Sequence, residues 1–382
     1  MREFQLEIVE DLSGVKPAEW DALSGGNPTL RHAFLQSMIA AGCTTAQTGW
    51  LPQFILLRRE SAGHPVLTGA VPLYLKGHSY GEYVFDWAWA EAYQRAGLDY
   101  YPKLLAACPF TPCTGPRLLA ATDADRSVLI DAMLTLAREH DVSSLHVLFA
   151  PETEQKMLLA AGMMARTAVQ FHWRNAGYAT FEAYLAGMSH DKRKKIRQER
   201  RKVAAAGITF RRATGTDITA ADWDFFTECY RRTYRAHHST PYLNREFFGL
   251  LGERMGENVL LVLAEREGSP IAASLNLFGA GTLYGRYWGS REYHSGLHFE
   301  TCYYQTIEFC IERGIDLFEG GAQGEHKLAR GFLPVKCHSA HWLKEPRFAH
   351  AVEDFLRRER SGLDEYVDEL QEHAPFKAPS DG

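Results

Sequence analysis

The sequence predicts a mixed αβ protein of the α+β kind, built as two units. Three observations carry this. The chain has 382 residues, more than one compact core usually holds. Strand-period and helix-period segments alternate along it, with turn residues between them. In the second half, three strand-like runs at 259–265, 271–280 and 281–289 follow one another, and Gly268 and Gly279 to Gly281 mark antiparallel turns.

The elements follow in order. Residues 3–9 alternate and read as a strand, and 17–23 as a short helix. Asn27-Pro28 is a turn, and 32–41 a helix closed by Gly42. Runs 53–59 and 66–76 form a hairpin around Gly63, and 83–89 is rich in aromatics. Helix 128–139, strand 144–149 and helix 155–161, ended by Gly162, complete the first unit. A connecting stretch at 165–180 divides the chain into units 1–170 and 171–382. The second unit begins with helices 181–186 and 189–206, strand 208–212, and helices 221–237 and 245–255. After the three strands come a long helix, 298–312, stopped by Gly314, a strand at 315–318 and a last one at 341–343. Residues 349–372 form a charged amphipathic helix, and 374–382 a frayed end.

Composition narrows the function. The net charge of −5 gives no global attraction to nucleic acid, so any such contact must be a local patch. Seven cysteines lack CxxC spacing, and even Cys108 and Cys113 do not suggest a zinc site; free thiols in a reducing cytoplasm fit best. The first residues are charged where a signal peptide needs an apolar core, and no apolar run reaches membrane-spanning length.

The stretch Phe318-Glu-Gly-Gly-Ala-Gln-Gly-Glu-His-Lys-Leu-Ala-Arg-Gly-Phe332 carries the most chemistry. An apolar run ends at Phe318 and Glu319, glycines allow close approach of the backbone to a ligand, and Glu325, His326, Lys327 and Arg330 follow at once. A base, an imidazole and two cations beside an open loop suit acyl transfer to an amine, where a proton leaves the nucleophile and an oxyanion develops. Glu325 or His326 is the candidate for proton transfer. Lys327 and Lys336 are candidates for charge stabilisation, and Glu319 and Arg330 for substrate contact. A polar loop ahead of a helix start is the plainer reading of the same residues.

A second constellation is basic. Residues 192–202 contain eight Lys or Arg against one Glu. On a helix Arg193, Arg197, Arg200 and Arg201 share a face, with Ile196 and Val203 on another. Such a run also fits a solvated face. Its place between the units of an otherwise acidic chain favours a phosphate-binding strip for a tRNA acceptor stem or an anionic lipid carrier. His237 and Tyr242 flank a loop after an arginine-rich helix and are substrate-contact candidates; no ligand spacing for a metal accompanies them. In Tyr284-Gly-Arg-Tyr-Trp288, alternation puts Tyr284, Arg286 and Trp288 on one face. Arg286 there needs a partner, either a substrate anion or Glu300 on the following helix.

The order of three antiparallel strands, a long helix, a strand, a glycine loop and a last strand resembles the acetyltransferase-like GNAT fold. Further motifs are Asn27-Pro28 with His32-Ala-Phe34, the run from Val71 to Trp89, and Tyr100-Tyr-Pro-Lys-Leu104. Pro109 to Arg117, Ser189 to Arg197, and Phe318 to Phe332 with Ser339-Ala-His-Trp342 complete them. With these, the whole chain resembles the FemAB/FemX-like family, in its bacterial branch of peptidoglycan biosynthesis/recognition proteins. The resemblance implies two tandem GNAT-like units with a cleft between them. It implies transfer of an aminoacyl group from aminoacyl-tRNA onto an amine of a peptidoglycan precursor or similar peptide, with no permanently bound cofactor and a cytoplasmic location. It also implies an acceptor site in the first unit, for which Asp86, Trp89, Tyr101 and Lys103 are candidates. The second unit would hold the donor, with Arg286 and Trp288 near the gap where GNAT strands splay apart. GNAT enzymes hold the CoA pyrophosphate in an Arg/Gln-x-x-Gly-x-Gly/Ala loop at the start of the long helix. Here that position reads Arg291-Glu-Tyr-His-Ser-Gly-Leu-His298, and Lys76-Gly-His-Ser-Tyr-Gly81 does not match either. An acyl-CoA donor is therefore the weaker alternative, and a recognition module without catalysis is the other.

Overall fold

The computed structural model describes residues 4–61, 63–321, 324–373 and 375–376, apart from the side chains of Glu325 and Asp364. Glu3, expected to open the first strand, and most of the tail expected to fray lie outside the described residues. The chain divides into two compact units: Met1–Ala168 with Lys336–Glu365, and Val169–Val335 with Tyr366–Gly382. The second unit is thus not the continuous stretch 171–382; residues 336–365 belong to the first.

In unit 1, β1 (Gln5–Val9), β3 (Phe54–Ser61), β4 (His64–Val71) and β7 (Leu119–Ala120) make one antiparallel sheet in that order. A second run of paired strands is β2 (Trp50–Pro52), β5 (Leu73–Lys76), β6 (Lys103–Ala106), β8 (Ser144–Ala150) and the later part of β15 (Leu333–Leu343). Pairing of His338 to Leu343 with β8 is what returns this stretch to unit 1. Helices α1 (Pro17–Asp21), α2 (His32–Ala40), α3 (Trp87–Arg95), α4 (Asp123–Glu139) and α5 (Glu152–Ala160) complete the unit. Thr122 caps α4 by accepting from the Asp125 amide. Leu129, Ile130, Met133 and Leu134 form its apolar stripe and join the main core of the unit. A smaller core joins Trp89, Tyr93 and Tyr100 to Leu343, Val352 and Leu356.

The irregular segment from Gly77 to Asp86 is held by one ammonium. Lys103 is wholly buried, and its Nζ donates to Ser79 Oγ and Glu82 Oε2, both at 2.8 Å, and to Asp86. The hydroxyl of Tyr100 donates to Asp86 at 2.7 Å, and His146 and His341 face each other through their Nδ1 atoms at 2.7 Å. Burial alone would raise Asp86, but Lys103 and His146 hold it down at about 2. Burial pushes Glu82 up to about 7 against the pull of Lys103, and pushes His146 down to about 3.

In unit 2 the strands run β10 (Ile208–Ala213), β11 (Val259–Arg266), β12 (Ser269–Gly279), β13 (Thr282–Ser290), β14 (Leu317–Glu319) and β9 (Met164–Arg174) in spatial order. The three expected antiparallel strands are β11 to β13. The expected connecting stretch 165–180 is strand as far as Arg174, because it lies in β9, whose His172 to Arg174 pair with β14. Helices α6 (Phe181–Ala186), α7 (His190–Ala205), α8 (Ala220–Ala236) and α9 (Arg245–Met255) precede β11. The long helix is α10 (Leu297–Phe299), a π-helical turn at Glu300–Tyr304, and α11 (Gln305–Arg313), ended by Gly314 at φ +64°. Helix α12 (Pro346–Glu372) contributes residues to both units.

A β-bulge in β13 changes the expected facing of its side chains. Tyr284 and Tyr287 lie opposite Leu277 and Leu275, two residues apart, whereas Trp288 lies opposite Ser274. Arg286 is the extra residue, so Tyr284 and Trp288 point to opposite faces rather than sharing one. Tyr287 meets Tyr230 of α8, with ring centroids 5.1 Å apart, while the Ser274 hydroxyl on the other face donates to Thr301 of the π turn at 3.2 Å.

Two outcomes follow from this packing. A Cβ at Gly289 would fall inside the Cys229 main-chain carbonyl of α8, so Gly289→Ala is expected to lower stability by about 2–3 kcal/mol in urea unfolding. Lys103→Met takes the nearest ammonium from two buried carboxylates, leaving Glu82 only Lys76 at 3.8 Å, and is expected to cost about 3–5 kcal/mol, with much of the loss recovered when Glu82→Gln and Asp86→Asn are added.

Candidate active site

Strand β14 pairs with β13 in parallel only from Thr282 to Tyr284; β13 then runs on to Ser290 while β14 stops at Glu319. The edge of β13 beyond that point opens as a splay. Gly320 follows at once: its amide donates to Phe171 O at 3.1 Å, and a Cβ there would crowd that oxygen and the Phe332 ring at 3.0 Å. Glu319 is buried beside His172 of β9. Burial, Arg174 and Lys327 hold His172 neutral, at about 4, and its Nε2 lies 3.2 Å from Gln170 Oε1.

The loop closes through a 3₁₀ turn over Glu325–Arg330, bounded by Gly324 at φ +108° and Gly331 at φ +81°. Lys327 is 5 % exposed and donates to Gly321 O at 3.2 Å; burial lowers it to about 8, opposed by Cys302. His326 is exposed, with Nε2 at 3.2 Å from the Tyr303 hydroxyl. Burial of part of its ring, Lys327 and Arg330 lower its pKa below the ordinary imidazole value. His298 lies 5.5 Å from Tyr303 and 5.1 Å from Trp288 between ring centroids, and burial with the nearby His326 holds it at about 4. Glu319, His326, Lys327 and Trp288 are thus brought into one region of unit 2, joined by His172, His298 and Tyr303. Those three were missed from the sequence, and only the π turn that carries Tyr303 marks them. The Glu325 side chain lies outside the described residues.

Several expected site residues are committed elsewhere. Arg330 is 3 % exposed; its NH2 donates to both carboxylate oxygens of Glu199 at 3.0 Å, and its guanidinium lies 3.3 Å over the Phe299 ring. It therefore positions the loop instead of facing substrate. Glu300 pairs with Arg200 at 2.9 Å, not with Arg286, whose guanidinium lies over the Tyr287 ring. Lys336 is exposed and belongs to unit 1. His237 is exposed at the end of α8, and Tyr242 packs edge-on to Tyr234. In unit 1, Asp86 and Lys103 neutralise one another in the interior, Trp89 is buried in the small core, and Tyr101 holds Ser79 at 2.8 Å. Trp87 is 41 % exposed.

The basic helix is α7, with Ile196 and Val203 turned inward as expected. Arg193, Lys194, Arg197, Arg200 and Arg201 line an open groove of about 660 Å³ together with His190 and Glu182. Arg200 is spent on Glu300 and Glu308, and Arg197 on Glu182, which leaves Arg193, Lys194 and Arg201 as its outward cations. A second groove, of about 330 Å³, gathers Arg231, Arg232 and Arg235 of α8 with Arg245 and the acids Asp224 and Glu228, of which Asp224 pairs with Arg245. Where GNAT enzymes cradle a pyrophosphate, Gly296 is covered by α7: a Cβ there would lie 3.4 Å from Val203 and 3.6 Å from Glu199 O. Among the described residues no group of side chains suits a metal ion, and no helix is long and apolar enough to cross a membrane.

A search of the curated proteins finds no match. Among solved structures, FemX is similar at 12 % identity and a TM-score of 0.56, covering 89 % of this chain and 98 % of its own. L-PGS from Bacillus licheniformis is similar at 11 % identity and a TM-score of 0.56, covering 92 % and 99 %. A conserved protein of unknown function from Bacteroides thetaiotaomicron follows at 10 % identity and a TM-score of 0.50, covering 89 % and 100 %. These likenesses establish the fold, a mixed αβ tandem of GNAT-like units. The model of the FemAB-like family, described as peptidoglycan biosynthesis/recognition, matches residues 11–378, and the chain belongs to that family.

Proposed function

We propose that this chain is a Fem-type aminoacyl transferase that moves an aminoacyl group from tRNA onto an amine of a peptidoglycan precursor or a similar small peptide. The observation that carries the reading is the buried Lys327 ammonium next to the exposed, neutral His326 imidazole, where β13 and β14 part. The acceptor amine attacks the ester carbonyl, and His326 takes the proton that the amine loses. Lys327 faces the oxyanion that forms. Collapse expels the ribose hydroxyl, which takes the proton back from His326. Burial pushes the thiols of Cys302 and Cys310 far up, which favours direct attack over a thioester route. The tRNA donor draws support from the α7 groove and from the start of the long helix, which lacks the second glycine of a pyrophosphate loop and packs at Gly296 against α7. The α8 arginines suit an acceptor bearing phosphate or carboxylate groups. The scheme needs no resident cofactor, and a tRNA donor implies a cytoplasmic location.

The pH dependence tests the chemistry. The transfer rate is expected to rise as His326 loses its proton below pH 6.5 and to fall above about 8 as Lys327 loses its own. Lys327→Ala is expected to lower kcat roughly 10²- to 10³-fold. Lys327→Arg should remove the alkaline fall, and a rate that climbs through pH 8 would instead make Lys327 the base.

The donor is tested by binding. Affinity for an acceptor-stem RNA should fall about 40- to 150-fold between 50 and 200 mM salt if three or four phosphates are held. Arg193→Glu with Arg201→Glu should abolish most of that dependence. Tight, salt-insensitive binding of acetyl-CoA without any RNA binding would overturn the tRNA donor.

A further inference from the structure

The imidazole of His326 in unit 2 is held at several points, and they differ between its two nitrogens. The main-chain oxygen of His326 accepts from Arg330 NH1 at 2.6 Å. Its ring lies among Phe299, Tyr303 and His298, with centroids 5.7, 6.0 and 6.2 Å away. Nε2 is 3.2 Å from the Tyr303 hydroxyl. Nδ1 has no hydrogen-bond partner among the described residues. Gly324 keeps that second edge of the ring clear: a Cβ there would fall 2.7 Å from Nδ1 and 2.3 Å from Cε1. Tyr303 is itself 6 % exposed and packs edge-on to Phe332 and His298, with centroids 5.4 and 5.5 Å away. The π turn thus serves the loop through adjacent residues. Tyr304 donates to Glu199, which holds Arg330, and Tyr303 reaches His326.

We propose that Tyr303 is a positioning residue: its hydroxyl oxygen accepts from His326 Nε2–H, which leaves Nδ1 as the bare nitrogen that takes the proton of the attacking amine. The inference rests on the reading of His326 as the proton acceptor in transfer. A neutral imidazole carries one N–H and one free lone pair, and the bond made by one nitrogen sets which is which. If the hydroxyl donated to Nε2, Nδ1 would carry the hydrogen and the one basic lone pair would be engaged. The edge left clear by Gly324 would then offer a donor and no base. With Nε2–H on Tyr303, both states of the ring are served. In the neutral ring Nδ1 is bare and reachable. In the imidazolium Nδ1–H holds the transferred proton, and the bond from Nε2–H to Tyr303 strengthens because its donor is now charged. That gain has a use here, since Lys327 and Arg330 both disfavour a charge on this ring. The hydroxyl oxygen offsets part of their repulsion. The proton then passes from Nδ1 to the departing ribose oxygen, and the ring ends in its starting tautomer.

The test uses the full chain with nitrogen-15-labelled histidine, because ring-nitrogen NMR shifts report the tautomer without any turnover. The His326 signals are assigned as those lost in His326→Ala. In the neutral ring Nδ1 is expected to be bare and Nε2 to carry the hydrogen. Tyr303→Phe keeps the aromatic packing and removes the acceptor oxygen alone. In that variant the His326 pKa should fall by roughly 0.5–1 unit, the margin of a charge-assisted bond over an ordinary one. The acid limb of the kcat profile should move down with it, and the plateau kcat should drop roughly 3- to 10-fold with KM little changed. A His326 pKa that rises in Tyr303→Phe means that the hydroxyl donates, and this overturns the proposal, as does an Nδ1–H tautomer in the wild type. An unchanged pKa and profile reduce Tyr303 to packing and overturn it too. Transfer that survives in His326→Ala ends the reading of His326 as base and the proposal together. The opposite tautomer, with transfer lost in His326→Ala, ends the proposal alone.

Discussion

The ion pair between Arg330 and Glu199 ties the glycine-rich loop to the basic helix. Arg330 NH2 is shared between both oxygens of one carboxylate, NH1 makes a further bond to His326 O at 2.6 Å, and an aromatic face lies below the guanidinium. Burying such a pair costs several kcal/mol of lost hydration, offset only where geometry and extra hydrogen bonds are good. Both conditions hold here. Glu199 also receives the Tyr304 hydroxyl, and Tyr184 donates to Arg330 O. The loop bearing Lys327 and the helix bearing the outward cations are therefore positioned by one shared set of bonds inside unit 2.

Within that frame, the chemistry depends on where strand pairing ends. Strand β14 pairs over three residues with β13 on one side and β9 on the other, which sets Glu319 opposite His172, and then releases the chain into Gly320 and Gly321. Lys327 is buried because the 3₁₀ turn folds back toward that release point, and its lowered pKa follows from the same burial. The π turn sets Tyr303 against His326 and leaves Thr301 for Ser274, so one irregularity serves both the site and the sheet.

Much of this was legible. Hairpins at Gly268 and Gly281, the helix stop at Gly314 and the buried side of α7 follow from local periodicity and from glycine's freedom at positive φ. His326 and Lys327 stood out because their residue types cluster beside glycines. What failed to show depends on partners distant in sequence. Arg200, Arg330 and Lys103 each read as ligand-seeking charges, yet each finds its carboxylate within the fold. A single extra residue at Arg286 reversed the facing of its neighbours, and strict alternation cannot reveal a bulge. Nothing in the run from 165 to 180 distinguishes a connector from β9 until β14 is known to pair with it.

The division of β15 and α12 among the units has a consequence for how the protein comes into being. Unit 1 is discontinuous: its last strand and part of its last helix are encoded after nearly all of unit 2. As the chain leaves the ribosome, residues 169–335 emerge whole, while β8 waits for Lys336 to Leu343 and His146 waits for His341. A fragment cut at residue 168 would lack a core strand and one member of the histidine pair. Most of the second unit is in effect an insertion within the first, and each unit is completed only when its own final segment arrives.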